Sequence, residues 1–180
     1  MKTLPSILLS AAGLALVAGL VARAAETPKP AEPKAAAKID AKSGSTVNGI
    51  ATFSAAAGKV TLKLELRGAT PGEHAVHLHE KGDCSAADAT SAGGHWNPTS
   101  VNHGKWGTSP FHLGDIGNVK VGTDGTGELT LTTDKWTIGD GGPGDVVGKA
   151  VIVHAAIDDF KTQPTGNAGG RVGCGVIQTH

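Results

Sequence analysis

The chain has 180 residues, with 16 lysines and arginines against 16 aspartates and glutamates, and only 3% of its residues are aromatic. This balance of charge, without a basic tract, argues against nucleic acid as a partner. The length is sufficient for one domain with a hydrophobic core.

The N-terminus, MKTLPSILLSAAGLALVAGLVARAAE, has the features of a secretory signal peptide. Lys2 precedes an apolar run over residues 7–21, and the small residues around position 24 fit a cleavage site. The alternative, a membrane anchor, needs about 20 apolar residues to span a bilayer, and this run is shorter. We predict that residues 1–24 are a signal peptide, and that the mature protein is exported to the periplasm or outside the cell. Removal of Lys2 and Arg23 leaves 14 basic and 16 acidic side chains, a net charge of −2, without stable membrane association.

The next segment, residues 25–35, is rich in proline, alanine and lysine and predicts a flexible tether. From residue 36 to residue 180 the pattern changes to short alternating segments separated by glycines, which we interpret as one domain. In KVTLKLELRG, four apolar residues alternate with polar ones, the period of a half-buried strand. In NVKVGTDGTGELTLTT, the central TDGTG predicts a hairpin.

No long window of residues 36–180 sustains a helical period, so we predict an all-β sandwich or flattened barrel. Two long loops interrupt it, Asp83–Gly114 and Ala155–Gly170, and loops of this length in a compact domain usually carry function. The two cysteines of the chain, Cys84 and Cys174, predict one disulfide because an exported protein meets an oxidising compartment.

Histidines mark a candidate metal site. His77 and His79 are two residues apart on a predicted strand, so their side chains leave the same face. Such a pair alone is weak support for a metal, because buried histidines are often bonded to the main chain instead. The first long loop and its end add further nitrogen and carboxylate donors, and a later strand adds one more: His95, His103, His112, Asp115 and His154. An imidazole-rich set without thiolates suits zinc or copper(II).

Six motifs, in this order and spacing, resemble the copper,zinc superoxide dismutase family over about residues 36–179: HLHEKGDC, SAGGHWNP, NHG, FHLGDIGN, IVHAAIDD and GNAGGRVGCGVI. The resemblance implies a Greek-key antiparallel β-sandwich or flattened eight-stranded barrel with two long functional loops. It also implies an oxidoreductase that converts superoxide to O2 and hydrogen peroxide, with one copper ion and one zinc ion per subunit. A homodimer is compatible with it but not required.

The resemblance assigns roles to individual residues. The copper ligands would be His77, His79, His95 and His154, and the zinc ligands would be His95, His103, His112 and Asp115. His95 would bridge both metals and take part in catalysis. Arg171 would guide and hold the superoxide anion, whereas Asp158 would link a copper ligand to a zinc ligand. His74 would belong to the scaffold, and His180 would be exposed without a role.

Two segments depart from the family pattern. The segment FKTQPT at residues 160–165 is short and leaves Lys161 as its only cation, so a guidance network of lysines is not carried over. Trp106 and Phe111 stand where many members have charged residues, as a partner surface or as local packing. The alternative function is a non-catalytic copper- and zinc-binding domain, and a third is a structural zinc-only sandwich. His154 and Arg171, which such relatives would not need, favour the enzyme.

Overall fold

The computed structural model describes residues 34–180. The predicted signal peptide and nearly all of the predicted tether lie outside these residues. The first strand begins at Lys34, two residues before the predicted domain start at residue 36. Within residues 34–180, no helix is long and apolar enough to cross a membrane.

The regular elements of residues 34–180 are nine strands and one 3-10 turn, Thr90–Ala92. The strands are β1 (Lys34–Ala41), β2 (Asn48–Ala56), β3 (Lys59–Arg67), β4 (Gly72–His79), β5 (Gly117–Val121), β6 (Gly127–Thr133), β7 (Ala150–His154), β8 (Arg171–Val176) and β9 (Gln178–Thr179). Strands β5 and β6 flank the TDGTG sequence, so the hairpin prediction is confirmed.

The strands follow the order β2-β3-β6-β5-β4-β7-β8-β1-β9, and β1 also pairs with β2, which closes an eight-stranded barrel. The named strands pair antiparallel throughout. Strand β3 lies beside β6, and β1 beside β8, so connections cross the barrel as a Greek key requires. The all-β barrel prediction is therefore confirmed.

The interior of the barrel follows the alternation of the sequence. In β3, Val60, Leu62, Leu64 and Leu66 are buried in the core, as the period-two pattern predicts. In β4, however, every residue from His74 to His79 is buried. A strand is buried on both faces only when something covers its outer side, and here the long connections supply that cover.

The connection from β4 to β5 is anchored on the barrel by aromatic packing. The ring of Trp106 lies 5.1 Å from that of Phe111 and 5.2 Å from that of Trp136, measured between centroids. Trp136 is 1% exposed, and its indole N–H donates to the carbonyl of Leu113 at 3.0 Å. The aromatic pair that departs from the family pattern thus packs the loop against the barrel.

Candidate metal centre

Strands place three histidines on the covered face of the barrel. His77 and His79 stand two apart on β4, and His154 ends β7, the strand that pairs with β4. All three side chains are at most 4% exposed. Their proximity therefore follows from strand period and strand pairing, two of the strongest constraints that a sheet imposes.

Main-chain hydrogen bonds dock the β4–β5 connection onto the residue between the two strand histidines. The N–H of Leu78 donates to the carbonyl of Gly114 at 2.9 Å, and the N–H of Trp96 donates to the carbonyl of Leu78 at 2.8 Å. His95 precedes Trp96 and Asp115 follows Gly114, so this docking brings both residues beside the histidines of β4.

The buried donors form two groups, within each of which the ligand atoms lie within 4.8 Å of one another. The first, here called the copper group, comprises His77, His79, His95 and His154. The second, here called the zinc group, comprises His95, His103, His112 and Asp115. Each predicted ligand therefore lies in its predicted group, and His95 is the residue that the two groups share.

Each of the six rings directs one nitrogen onto an oxygen that can only accept a hydrogen bond. These pairs are His77 Nε2 with Asp158 at 2.9 Å, His79 Nδ1 with the Gly93 carbonyl at 2.9 Å, His95 Nδ1 with Asp115 at 2.9 Å, His103 Nε2 with Asp158 at 2.9 Å, His112 Nε2 with the Val101 carbonyl at 3.1 Å, and His154 Nδ1 with the Gly169 carbonyl at 3.3 Å. In a neutral ring this nitrogen carries the proton. It points away from both groups in five of the rings, whereas Nδ1 of His95 points at Asp115 within the zinc group.

The second nitrogen of each ring is buried without a hydrogen-bond partner: Nδ1 of His77, His103 and His112, and Nε2 of His79, His95 and His154. Buried polar atoms without partners are rare, because leaving them unpaired is unfavourable. These six nitrogens converge on the two groups, where their lone pairs could bind a cation. The donor set, imidazoles with one carboxylate, fits copper in the first group and zinc in the second.

Asp115 faces all three histidines of the zinc group. Oδ1 of Asp115 lies 2.9 Å from Nδ1 of His95, 3.0 Å from Nδ1 of His103 and 3.1 Å from Nδ1 of His112. The other carboxylate oxygen of Asp115 accepts the N–H groups of Gly104 and His112, which fixes its orientation.

The two groups differ in electrostatics. Burial lowers the pKa of His79 to about 2, that of His154 to about 3 and that of His95 to about 4, so these rings stay neutral at ordinary pH. For His103, burial also favours the neutral ring, but the carboxylates of Asp115 and Asp158 beside the ring outweigh it and raise the pKa to about 9. A cation that both carboxylates attract can take the place of that proton.

Asp158 connects the two groups. It is 1% exposed, and its two carboxylate oxygens accept from His77 and His103, one each. Burial disfavours its charge, yet these histidine bonds hold its pKa well below the usual range. Gly166 packs against this bond with φ of +69°, and a side chain there would collide with the carboxylate.

Arg171, the first residue of β8, lies on the β4–β5 connection. Its guanidinium donates to the carbonyls of Ala89 at 2.7 Å and Gly93 at 2.8 Å. The Gly93 carbonyl also accepts from His79, so the arginine and a copper-group histidine share one anchor. Burial lowers the pKa of Arg171, and nearby Asp88 partly offsets this.

The disulfide forms as predicted. Cys84 is bonded to Cys174 of β8 with a Cα–Cα distance of 5.8 Å, which ties the β4–β5 connection to the strand that begins with Arg171.

The remaining predicted positions play no part in either group. His74 directs its two ring nitrogens to the carbonyls of His154 and Thr70, each at 2.8 Å, and His180 is exposed at the chain end.

Sequence reasoning missed two side-chain amides next to the centre. Asn118 of β5 accepts the N–H of Asp158 at 2.8 Å and donates to its carbonyl at 3.0 Å. Gln163 makes the same pair of bonds with the main chain of His103, each at 2.9 Å. Asn118 stands in the motif FHLGDIGN, but neither residue type has a spacing rule that would single it out.

A Greek-key barrel with two buried groups of metal-binding side chains that share one histidine is typical of a metalloprotein with two adjacent sites. Residues 47–177 match the family model described as Copper/zinc superoxide dismutase (SODC).

Relatives agree with this match. The chain is 43% identical over 135 residues to "Superoxide dismutase [Cu-Zn]" of Caulobacter vibrioides, covering 72% of this chain and 78% of that protein. It is 35% identical over 140 residues to "Extracellular superoxide dismutase [Cu-Zn]" of Brugia pahangi, covering 73% and 69%. The crystal structure of the clock protein EA4 superposes with a TM-score of 0.74 at 34% identity, covering 87% of this chain and 100% of that one.

The chain therefore belongs to the copper/zinc superoxide dismutase family. It is an oxidoreductase that acts on superoxide, with one copper ion and one zinc ion as cofactors.

Proposed function

We propose that the copper group, with His77, His79, His95 and His154, and the zinc group, with His95, His103, His112 and Asp115, are the metal sites of this enzyme. The observation that carries the proposal is the set of six buried ring nitrogens without partners, divided between two groups that meet at His95. Five of the rings are held from outside by their other nitrogen, so their inward lone pairs are oriented before a metal binds; His95 instead faces one group with each nitrogen.

Bound copper would supply the redox chemistry by accepting an electron from one superoxide and giving it to another, whereas zinc keeps one oxidation state. The residues of the chain would hold and release protons and attract the anionic substrate. His95 turns Nε2 to the copper group and Nδ1 to the zinc group, so its ring would lose its second proton between two cations. Nε2 of His95 is then the atom that can take up a proton in one half of the cycle and release it in the other.

Arg171 would guide and hold the substrate anion. Its guanidinium is half-buried and fixed on the Gly93 carbonyl that also holds His79, so its charge stays beside the copper group. Superoxide carries a negative charge, and a fixed cation at the entrance raises its local concentration. Two superoxide anions and two protons yield O2 and hydrogen peroxide, so the anion and a proton must meet here.

We further propose that the enzyme works outside the cytoplasm. The support is the N-terminal sequence, in which residues 1–24 resemble a signal peptide. The predicted tether, residues 25–35, would then link the cleavage site to the domain, whose first strand begins at Lys34. The disulfide between Cys84 and Cys174 suits an oxidising compartment such as the periplasm or the extracellular space. After cleavage no stable membrane association is expected, and a homodimer remains a prediction that sedimentation of the mature protein would test.

The decisive experiment combines metal analysis with a superoxide-consumption assay on the purified mature protein and on two variants, His154→Ala and His112→Ala. We expect one copper and one zinc per wild-type subunit, loss of copper binding in the first variant and loss of zinc binding in the second. Retention of full copper by His154→Ala, or of full zinc by His112→Ala, would refute the ligand assignment.

A further inference from the structure

Gln163 lies on the connection between β7 and β8, yet its side chain reaches across to the zinc group. Its Oε1 accepts the main-chain N–H of His103 at 2.9 Å, and its Nε2 donates to the carbonyl of the same residue at 2.9 Å. The two residues are separated by 60 positions in the sequence. One side-chain amide thus satisfies both main-chain groups of a single histidine.

The orientation of this amide is determined by its surroundings. Nε2 of Gln163 faces two carbonyls, that of His103 and that of Lys161 at 3.2 Å, whereas Oε1 faces an N–H. Reversing the amide would put oxygen against two acceptors and nitrogen against a donor. The turn before it is also ordered, because Asp159 accepts the N–H groups of Lys161 at 2.9 Å and Thr162 at 2.8 Å.

The same connection holds the ring of His103 as well as its main chain. Nε2 of the ring donates to Asp158 at 2.9 Å, which leaves Nδ1 facing Asp115. Asp158 controls the rotation of the ring, but the position of the ring also depends on where its Cα lies. The amide of Gln163 fixes the position of the His103 main chain, so one connection holds both the ring and the main chain of this residue.

We propose that Gln163 is a positioning residue for the zinc group, and that its two bonds to His103 couple zinc binding to the order of the 155–170 connection. The proposal rests on the assignment of His103 as a zinc ligand. If Gln163 holds His103 where zinc needs it, then zinc must equally hold Gln163 and its connection in place, because coupling between two sites is reciprocal. This connection also contains Asp158 and leads into Arg171, so its order bears on the position of the guanidinium.

The test compares Gln163→Leu, which keeps the volume but makes no hydrogen bond, with Gln178→Leu. Gln178 is an exposed glutamine on β9 and serves as the matched control. In Gln163→Leu we expect zinc to dissociate into a chelator about 10-fold faster, the lower range for partners that orient a metal ligand. Copper content should stay unchanged, and the visible spectrum of the cobalt(II)-substituted zinc group should shift.

Hydrogen exchange provides the measure of coupling. In the wild type and in Gln178→Leu, zinc should slow exchange of amides in residues 155–170, and in Gln163→Leu this protection should be lost or strongly reduced. Equal protection and equal zinc dissociation in all three proteins would overturn the proposal, as would an equal loss of copper and zinc in Gln163→Leu.

His103→Ala separates this proposal from the ligand assignment beneath it. If His103→Ala binds zinc as tightly as the wild type, the assignment of the zinc group is wrong. If His103→Ala loses zinc while Gln163→Leu behaves as the wild type, the assignment stands and the positioning role of Gln163 alone is refuted.

Discussion

In the copper group, strands position three of the four histidines, whereas in the zinc group one connection between β4 and β5 supplies all four ligands. The hydrogen-bond ladder of the barrel determines the main-chain positions of His77, His79 and His154. The other three ligands of the zinc group, His103, His112 and Asp115, lie outside the strands. Side-chain bonds with Asp158 and Gln163 position His103, and the N–H of His112 donates to the carboxylate of Asp115.

This difference teaches how two metals can share one small centre. The ladder fixes the main chain of His77, His79 and His154, since strand pairing belongs to the core of the fold, whereas His95 lies on the β4–β5 connection. The zinc group needs the loops to be in place, and it contains the carboxylate that the copper group lacks. The shared ring of His95 stands between a rigid half and a half that a network of polar bonds assembles.

The largest effect is expected where the two halves meet. His95→Ala removes the one residue common to both groups, so most activity should disappear and both copper and zinc binding should weaken. The prediction is tested by measuring the activity and the metal content of the purified variant. His74→Ala, a buried histidine outside both groups, is the control for loss of a ring. Unchanged turnover with full metal content would contradict the shared role.

A smaller effect is expected from reversing the charge beside the copper group. Arg171→Glu should slow superoxide consumption by about 10-fold or more at low ionic strength, because attraction of the anion becomes repulsion. Copper content should change much less, since Arg171 is not a ligand in either group. The rate should also lose its normal fall with added salt. Equal rates for wild type and variant at low salt would argue against guidance by this residue.

Asp158→Asn should weaken metal binding more in one group than in the other. An asparagine can accept from only one of His77 and His103, and its NH2 would turn a donor towards the other ring. Because strand β4 still holds His77, we expect zinc affinity to fall by about 10- to 100-fold and copper affinity to fall less.

Competition with chelators measures both affinities for this variant. Asp159→Asn, the exposed neighbour that keeps an acceptor for its turn, should resemble the wild type. An equal loss of both metals in Asp158→Asn would show that the copper group depends on the connection as much as the zinc group does.

The last prediction concerns the stability of the metal-free protein as the pH changes. The pKa values of His79, His154 and His95 are lowered from 6.5, so below pH 6.5 the unfolded chain binds protons that the folded chain does not. Stability should therefore fall as the pH drops below 6.5, by up to about 1.4 kcal/mol per pH unit for each ring. The raised pKa of His103, about 9, has the opposite sign, and its contribution is lost as the pH rises towards 9.

The metal-free protein should thus be most stable near pH 6.5, the ordinary histidine pKa. Urea unfolding over a range of pH tests this. His154→Gln, which removes one of the three lowered groups, should flatten the acid side and leave the alkaline side unchanged. A stability that keeps rising as the pH falls below 6 would contradict the neutral copper group.

The strand period and the motif order made much of the centre predictable. The alternation in β3 and the pair His77 and His79 are local patterns, and a strand converts such patterns directly into faces. The disulfide was also predictable, since a chain with two cysteines has one way to pair them within a molecule. In contrast, no local pattern predicts that Trp106 packs on Trp136 rather than forming a partner surface.

The sequence by itself determined which atoms are available to bind metal and, through the family motifs, which histidines belong together. Only the tertiary structure decided which nitrogen of each ring points inward, because that choice depends on an acceptor at the other nitrogen. It likewise decided that Asn118 holds Asp158 and that Gln163 holds His103, across 40 and 60 positions of sequence. These side-chain hydrogen bonds depend on how two distant connections meet over the barrel. Glutamine and asparagine are too common in exposed loops for the sequence to predict such bonds.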